Sequence, residues 1–229
     1  MTTAKPGIFE EGGRAEALER LAAGIAHEIR NPLAGMKVLV QHLREKSSDP
    51  HDRQDLSVVE GEIDRIGEII ERFLAFARPF APSMKRLPLQ DVVEDSLFLV
   101  RRRAEGQGVT LGVSLPAAPL TAPLDRSLIK QVLLNLLLNA LDAMPTGGKV
   151  HVGVEAEAGG WIAVRVADTG KGIAETLAER LFEPFATARE NGLGLGLAIS
   201  RSIAEAHGGE LRLEKTGPEG TTFLLRLPR

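Results

Sequence analysis

The 229-residue chain contains no cysteine. Disulfides, thiolate nucleophiles and cysteine-ligated zinc are excluded together. No apolar run reaches the roughly 18 residues that a bilayer-crossing helix needs. Residues 1–13 hold Lys5 but no apolar stretch, so no secretory signal is read there. Basic residues number 28 and acidic residues 31, a net charge of -3. No basic field invites nucleic acid, and none is expected as a partner. The five histidines show no metal-ligand spacing. His27-Glu28 opens like the zinc motif H-E-x-x-H, but Asn31 stands where the second histidine belongs. A G-x-S-x-G nucleophile elbow, an internal repeat and a low-complexity tract are all missing. What remains is an ordinary globular balance, 43% hydrophobic and 26% charged. A cytoplasmic protein, or the cytosolic part of something larger, is expected.

Residues 14–45 carry apolar side chains at Leu18, Leu21, Ile25, Ile29, Leu33, Met36, Val40 and Leu43. Steps of three and four mark one helical face. His27 falls on the polar side of that helix, beside Glu28. A reachable imidazole next to a carboxylate is a candidate nucleophile. Polar residues 46–50 break the pattern. Leu56, Val59, Ile63, Ile66, Ile70, Phe73 and Ala77 then form a heptad seam that stops before Pro79. Two helices and a short turn make an antiparallel hairpin. A two-helix core is thin, so a second copy is expected to complete a four-helix bundle. Packing against the C-terminal half is the other way to cover the stripes.

Beyond a Pro-containing joint, expected over residues 80–86, the pattern changes. Strands are read at 87–89, 109–115, 150–157, 161–167, 211–214 and 222–227. Helices are read at 91–103, from an Asp125 cap to Met144, and at 195–206. The reading is an α+β two-layer sandwich over residues 87–229, following a tail at 1–13 and an all-α hairpin at 14–79.

Three clusters in this half bear polar chemistry. Asn135 and Asn139 are four apart on an otherwise apolar helix and so share a face. They either bond neighbouring loops or offer amide oxygens to a hard cation and phosphates. Asp168-Thr169-Gly170-Lys171-Gly172 follows a strand. Asp168 either caps a turn or accepts from an exocyclic amine such as that of adenine. The glycines allow close approach. Gly192, Gly194 and Gly196 run into a helix start, where free N–H groups favour phosphate. Their spacing is not that of a dinucleotide fold. Residues 182–191 form a loop, either closing over a ligand or simply lying at the surface.

The order of these motifs resembles the sensor histidine kinases of two-component systems, over residues 15–228. The resemblance implies a dimerisation and phosphotransfer hairpin, then an ATP-binding domain of the gyrase, heat-shock chaperone and histidine kinase type. His27 matches the phospho-accepting histidine, and Glu28 the acid that helps deprotonate it. Asn31 matches the position that orients water for dephosphorylating a partner. Asn139 matches the Mg2+-coordinating asparagine, with Asn135 its companion near the phosphates. Asp168 matches the adenine-binding aspartate, in a pocket shaped by Gly170 and Gly172. Phe182 and Phe185 match an aromatic box that packs the ATP lid, and Gly192, Gly194 and Gly196 its glycines. Thr221, in Gly220-Thr221-Thr222-Phe223, matches a residue near the nucleotide. Where the family often carries a second Phe and then Thr-Thr-Lys, this chain has Ala186, Thr187, Ala188 and Arg189. Arg189 and Lys130 are candidate phosphate cations.

The implied activity is ATP-dependent autophosphorylation of His27. Transfer to an aspartate of a partner response regulator follows, with phosphatase action toward that partner as a further role. ATP and Mg2+ are the implied cofactors, and an unidentified upstream sensor the implied input. An ATPase of the same fold and a catalytically silent nucleotide-binding scaffold are the competing readings.

Overall fold

The computed structural model describes the backbone of residues 8–77, 80–187 and 194–229. Side chains are described from Ala26 onward in those ranges, apart from Glu68 and residues 71–77. Leu18, Leu21, Ile25, Phe73 and Ala77 of the expected seams thus lie outside the described side chains. The chain divides into two units between residues 79 and 80.

The first unit is the hairpin of α1 (Ile8–Lys46) and α2 (Pro50–Ala77). The turn between them is built from its own polar side chains. Asp49 Oδ1 accepts the His51 N–H at 2.8 Å, and Pro50 occupies the first helical position, where a missing N–H costs nothing. Arg53 Nε donates to the Ser47 carbonyl at 2.8 Å. Across the hairpin, Lys37 pairs with Asp64 at 2.5 Å. Arg44 pairs with Glu60, which also accepts from Gln41 Nε2 at 2.6 Å.

The apolar stripes divide into two rows. Ala26, Leu33 and Val40 on α1, with Leu56, Ile63 and Ile70 on α2, are buried or half-buried at seven-residue spacing. Ile29, Met36 and Leu43, with Val59 and Ile66, repeat that spacing three residues later and are exposed. An equal offset on antiparallel helices falls on the same side of the hairpin. The single chain therefore presents one apolar side. Pro32, inside α1, has no N–H for the Glu28 carbonyl one turn back.

The second unit is a two-layer α+β sandwich. Its sheet runs β2 (Val109–Ser114), β4 (Gly148–Glu157), β5 (Trp161–Asp168), β7 (Gly220–Pro228), β6 (Glu210–Gly217). Only β2 and β4 pair in parallel; the other neighbours are antiparallel. A small antiparallel pair, β1 (Lys85–Pro88) with β3 (Thr121–Leu124), stands apart. No strand is expected from the sequence at β3, whose Pro123 suits only an edge. Lys85 and Arg86 are expected in the joint, whereas both lie in β1.

Three helices cover one face: α3 (Leu89–Gln107), α4 (Arg126–Asp142) and α6 (Gly196–Ala206). A single turn, α5 (Glu175–Ala178), lies between β5 and α6. The shared core contains Ile129, Leu133, Leu136 and Leu137 of α4, Ile162 and Val164 of β5, Ile203 of α6 and Leu225 of β7. The other sheet face is covered by paired charges. Arg165 bonds Glu214 at 2.9 Å and Glu157 at 3.2 Å, and Arg226 bonds Glu157 at 2.8 Å and Glu210 at 2.9 Å. Among the described residues no helix is long and apolar enough to cross a membrane.

Asp125 joins three segments. Its Oδ1 accepts the Ser127 and Leu128 N–H groups at 3.0 and 3.2 Å, capping α4. Its Oδ2 accepts the Ser83 N–H at 2.9 Å. Its own N–H donates to Nε2 of buried His207 at 3.0 Å, whose Nδ1 faces the Ile203 carbonyl at 2.7 Å. The Ser127 hydroxyl bond, helped by the backbone donors against burial, lowers the Asp125 carboxyl from 3.8 to about 2. Because the folded value lies below the ordinary one, this stabilisation is complete above pH 3.8 and is lost as pH falls toward 2. Asp125→Ala is expected to destabilise the second unit by about 1 to 2 kcal/mol in urea unfolding. Asp125→Asn should flatten the acid limb of its stability profile. A variant whose stability falls in parallel with the parent over that window would contradict the assignment.

Candidate functional site

The ends of β5 and β7 lie side by side because Asp168 pairs with Thr221 in the ladder. That register puts a carboxylate where two strands run out. Asp168 Oδ1 accepts the Gly170 N–H at 2.8 Å and the Thr221 N–H at 3.3 Å. Both bonds use one oxygen, so Oδ2 is uncommitted among the described residues. The carboxylate is half-buried, and burial pushes its pKa above the ordinary value against these two donors. A half-buried acceptor with a spare oxygen can receive an amino N–H from a planar ring.

The loop after Asp168 is pinned from behind. Ile173 N–H donates to Thr216 Oγ1 at 2.9 Å, and that hydroxyl lies 3.3 Å from Thr221 Oγ1. Gly172 has φ +72°, and a Cβ there would sit 2.1 Å from the Gly217 carbonyl oxygen. Only glycine fits both the backbone and the space. Gly170 lies against Ala143, just past the end of α4. The Asp168 loop is thus seated between the α4 C-terminus and the β6–β7 turn.

Asn135 and Asn139 are both half-buried on one face of α4. Asn135 Nδ2 donates to Ser200 Oγ of α6 at 3.0 Å. Its Oδ1 lies against Gly196, where an added Cβ would stand 2.4 Å away. Gly196 begins α6, so the amide oxygen adjoins the free N–H groups of a helix start. Lys130 is half-buried but sits five residues before Asn135 in a continuous helix. At 3.6 residues per turn it departs from the asparagine row. The structure does not group it with them.

The residues read as a lid divide in this structure. Phe182 is half-buried and meets Phe223 edge-on, with centroids 6.5 Å apart. The Arg201 guanidinium lies 5.6 Å from the Phe182 ring centre. Phe185 does not join that pair. Its φ is +68°, its ring is exposed, and its backbone lies against Gly194. The left-handed turn carries the ring away from the Phe182–Phe223 contact. Arg189 and Gly192 lie outside the described residues. On the hairpin, His27, Glu28 and Asn31 are all exposed.

Three contributors had escaped the sequence reading. Ser200 is buried and holds Asn135; its only signal was its place one turn after Gly196. Thr216 binds the Asp168 loop, and His207 ties the end of α6 to the start of α4. No spacing rule marks either, because their partners lie far away along the chain. A hard cation delivered on phosphate needs few protein ligands. Among the described residues no group of three His, Asp or Glu could hold a metal alone. The Asn135–Asn139 face fits the sparse, oxygen-donating side of such a site.

Comparison with known proteins agrees with this geometry. Residues 17–79 match the family model for the His Kinase A (phospho-acceptor) domain. Residues 124–229 match the histidine kinase-, DNA gyrase B- and HSP90-like ATPase family. The signal transduction histidine-protein kinase AtoS of Escherichia coli strain K12 is 39% identical over 215 residues. That alignment takes in 94% of this chain and 35% of AtoS. Among solved structures, full-length ShkA in complex with AMPPNP is 26% identical with a TM-score of 0.77, over 91% of this chain and 45% of ShkA. Histidine kinase ThkA in complex with the response regulator TrrA is 27% identical with a TM-score of 0.68, over 94% of this chain and 63% of that one. The chain spans less than half the length of AtoS and of the sporulation kinases D and E of Bacillus subtilis strain 168. With a phospho-acceptor hairpin and an ATPase-type domain in this order, the chain belongs to the sensor histidine kinase family.

Proposed function

We propose that this chain transfers the γ-phosphoryl group of ATP to His27 and then to an aspartate of a response regulator. The observation that carries the reading is an exposed His27 on the hairpin, followed in the same chain by a unit with Asp168 at the end of β5 and Asn135 half-buried on α4 against the start of α6. The neutral imidazole attacks phosphorus with a ring nitrogen lone pair. Glu28, its neighbour in sequence, takes or polarises the other ring N–H. Asp168 receives the adenine amino group, and Thr221 lines the same corner. Asn139 would hold Mg2+, which when bound would supply positive charge beside the phosphates. The free N–H groups at Gly194 and Gly196 serve the phosphates. Phosphoryl transfer depends chiefly on alignment and charge, which these groups provide.

Asn135 favours transfer over hydrolysis. An amide cannot accept the proton of an attacking water, as a carboxylate at that position would. Asn31, one turn beyond His27, is proposed to orient water when the phosphoryl group on the partner is removed. ThkA, which carries a response regulator in its solved complex, supports such a partner for this chain. The exposed row Ile29, Met36, Leu43, Val59 and Ile66 supports a homodimer through the hairpin. The ATP-binding unit is proposed to pivot ahead of Ser83.

Three outcomes are expected. Incubation with γ-labelled ATP and magnesium gives acid-labile, alkali-stable label that His27→Gln abolishes. Persistent label in that variant, or undiminished release of free phosphate, would reject the reading. Asp168→Asn weakens ATP binding roughly tenfold to a hundredfold in calorimetry. Equal affinity for parent and variant would remove Asp168 from the site. Met36→Glu sediments as a monomer while the parent sediments as a dimer. A variant dimer would disprove assembly through this side.

A further inference from the structure

Asn135 is held by a pair of residues one turn apart on α6. Ser200, 1% exposed, accepts from Nδ2 at 3.0 Å. Gly196, four residues earlier on the same face, receives Oδ1 in a space that a methyl group would fill. One end of the amide is thus held by a hydroxyl acceptor, and the other lies in space that the absent side chain of Gly196 leaves open. Without that bond the amide could turn over, exchanging its oxygen for an NH2 group. At a helix start facing phosphates and a cation, that exchange replaces an acceptor with a donor. An isolated hydroxyl buried beside the site would also be costly without a partner.

We propose that Ser200 is a positioning residue for phosphoryl transfer. It accepts from the Asn135 amide and so keeps Oδ1 turned toward the first turn of α6. The residue touches no substrate atom and acts only through Asn135. This inference rests on the reading of Asn135 as a phosphate-side group. It also explains why a serine stands in the interior of a helix whose other buried positions, Ala198, Ile199, Ile203 and Ala204, are apolar. Packing alone would be met there by alanine.

The experiment uses the whole chain and compares Ser200→Ala, Ser200→Thr and Asn135→Ala. Autophosphorylation at saturating Mg-ATP, affinity for Mg-free ADP and melting temperature are measured for each. Ser200→Ala is expected to slow autophosphorylation roughly tenfold or more. Its Mg-free ADP affinity and melting temperature should stay close to those of the parent. Ser200→Thr, which keeps the hydroxyl, should recover most of the rate. A parental rate in Ser200→Ala overturns the proposal. So does a folded Ser200→Thr as slow as Ser200→Ala, or a slow Ser200→Ala that has also lost ADP binding or melting temperature. Should Ser200→Thr fail to fold, Ser200→Cys decides. It keeps the volume with a much weaker acceptor, so a parental rate there also overturns the proposal. Asn135→Ala with full activity would instead remove the reading on which the inference rests.

Discussion

The second unit depends on the burial of α4. Val132, Leu133, Leu136, Leu137, Ala140 and Leu141 are almost fully withdrawn from solvent. A helix so apolar can only sit beneath other elements. α3 and α6 flank it and the sheet lies below. Gln131 and Leu138 face outward, and Asn135 and Asn139 lie half-buried at the margin of that open side, with Asn135 turned toward α6. Two polar groups one turn apart are thereby held at fixed depth. The placement of the site follows from the disposition of the leucines. A shift of α4 by one residue would rotate the asparagines into the core, where unpaired amides are costly.

The same helix connects distant parts of the unit through its ends. At its start, Asp125 gathers Ser83, Ser127, Leu128 and His207. Just past its end, Ala143 meets the Asp168 loop at Gly170. α6 is bound to α4 twice, through His207 near the α4 start and Ser200 in the middle. Hydrophobic contact alone would let two helices slide by small amounts. These directional bonds fix their register, so that the amide of one faces the opening turn of the other. The segment around Ser83 is thus tied to a helix that carries site residues.

Much of this was legible in the sequence because it rests on periodicity and turn chemistry. The three-and-four spacing around Ile29 and Ile63 gave the hairpin, and Asp125 with the Leu-rich run gave α4. What escaped was strand β3, since Pro123 and four residues give almost no pattern. Lys130 seemed available as a phosphate cation because linear distance hides the angular step along a helix. Phe185 resembles a packing aromatic by motif, yet its backbone is left-handed, lies against Gly194 nine residues away, and leaves the ring exposed. Ser200, Thr216 and His207 illustrate a general limit. A hydrogen bond between elements depends on tertiary register, which local spacing does not encode.

The hairpin shows how one repeat can serve two interfaces. Ala26, Leu33 and Val40 meet Leu56, Ile63 and Ile70 inside the chain. Ile29, Met36, Leu43, Val59 and Ile66 face outward. Each exposed side chain loses solvent contact only against another apolar surface. Lys37–Asp64 and Arg44–Glu60 lie toward the opposite side, adjoining the buried row. His27 stands two positions before Ile29, more than half a turn away around the helix. Assembly through the apolar side would therefore cover the row without enclosing the imidazole. The hairpin thus keeps an apolar face available for assembly and leaves His27 exposed on another side.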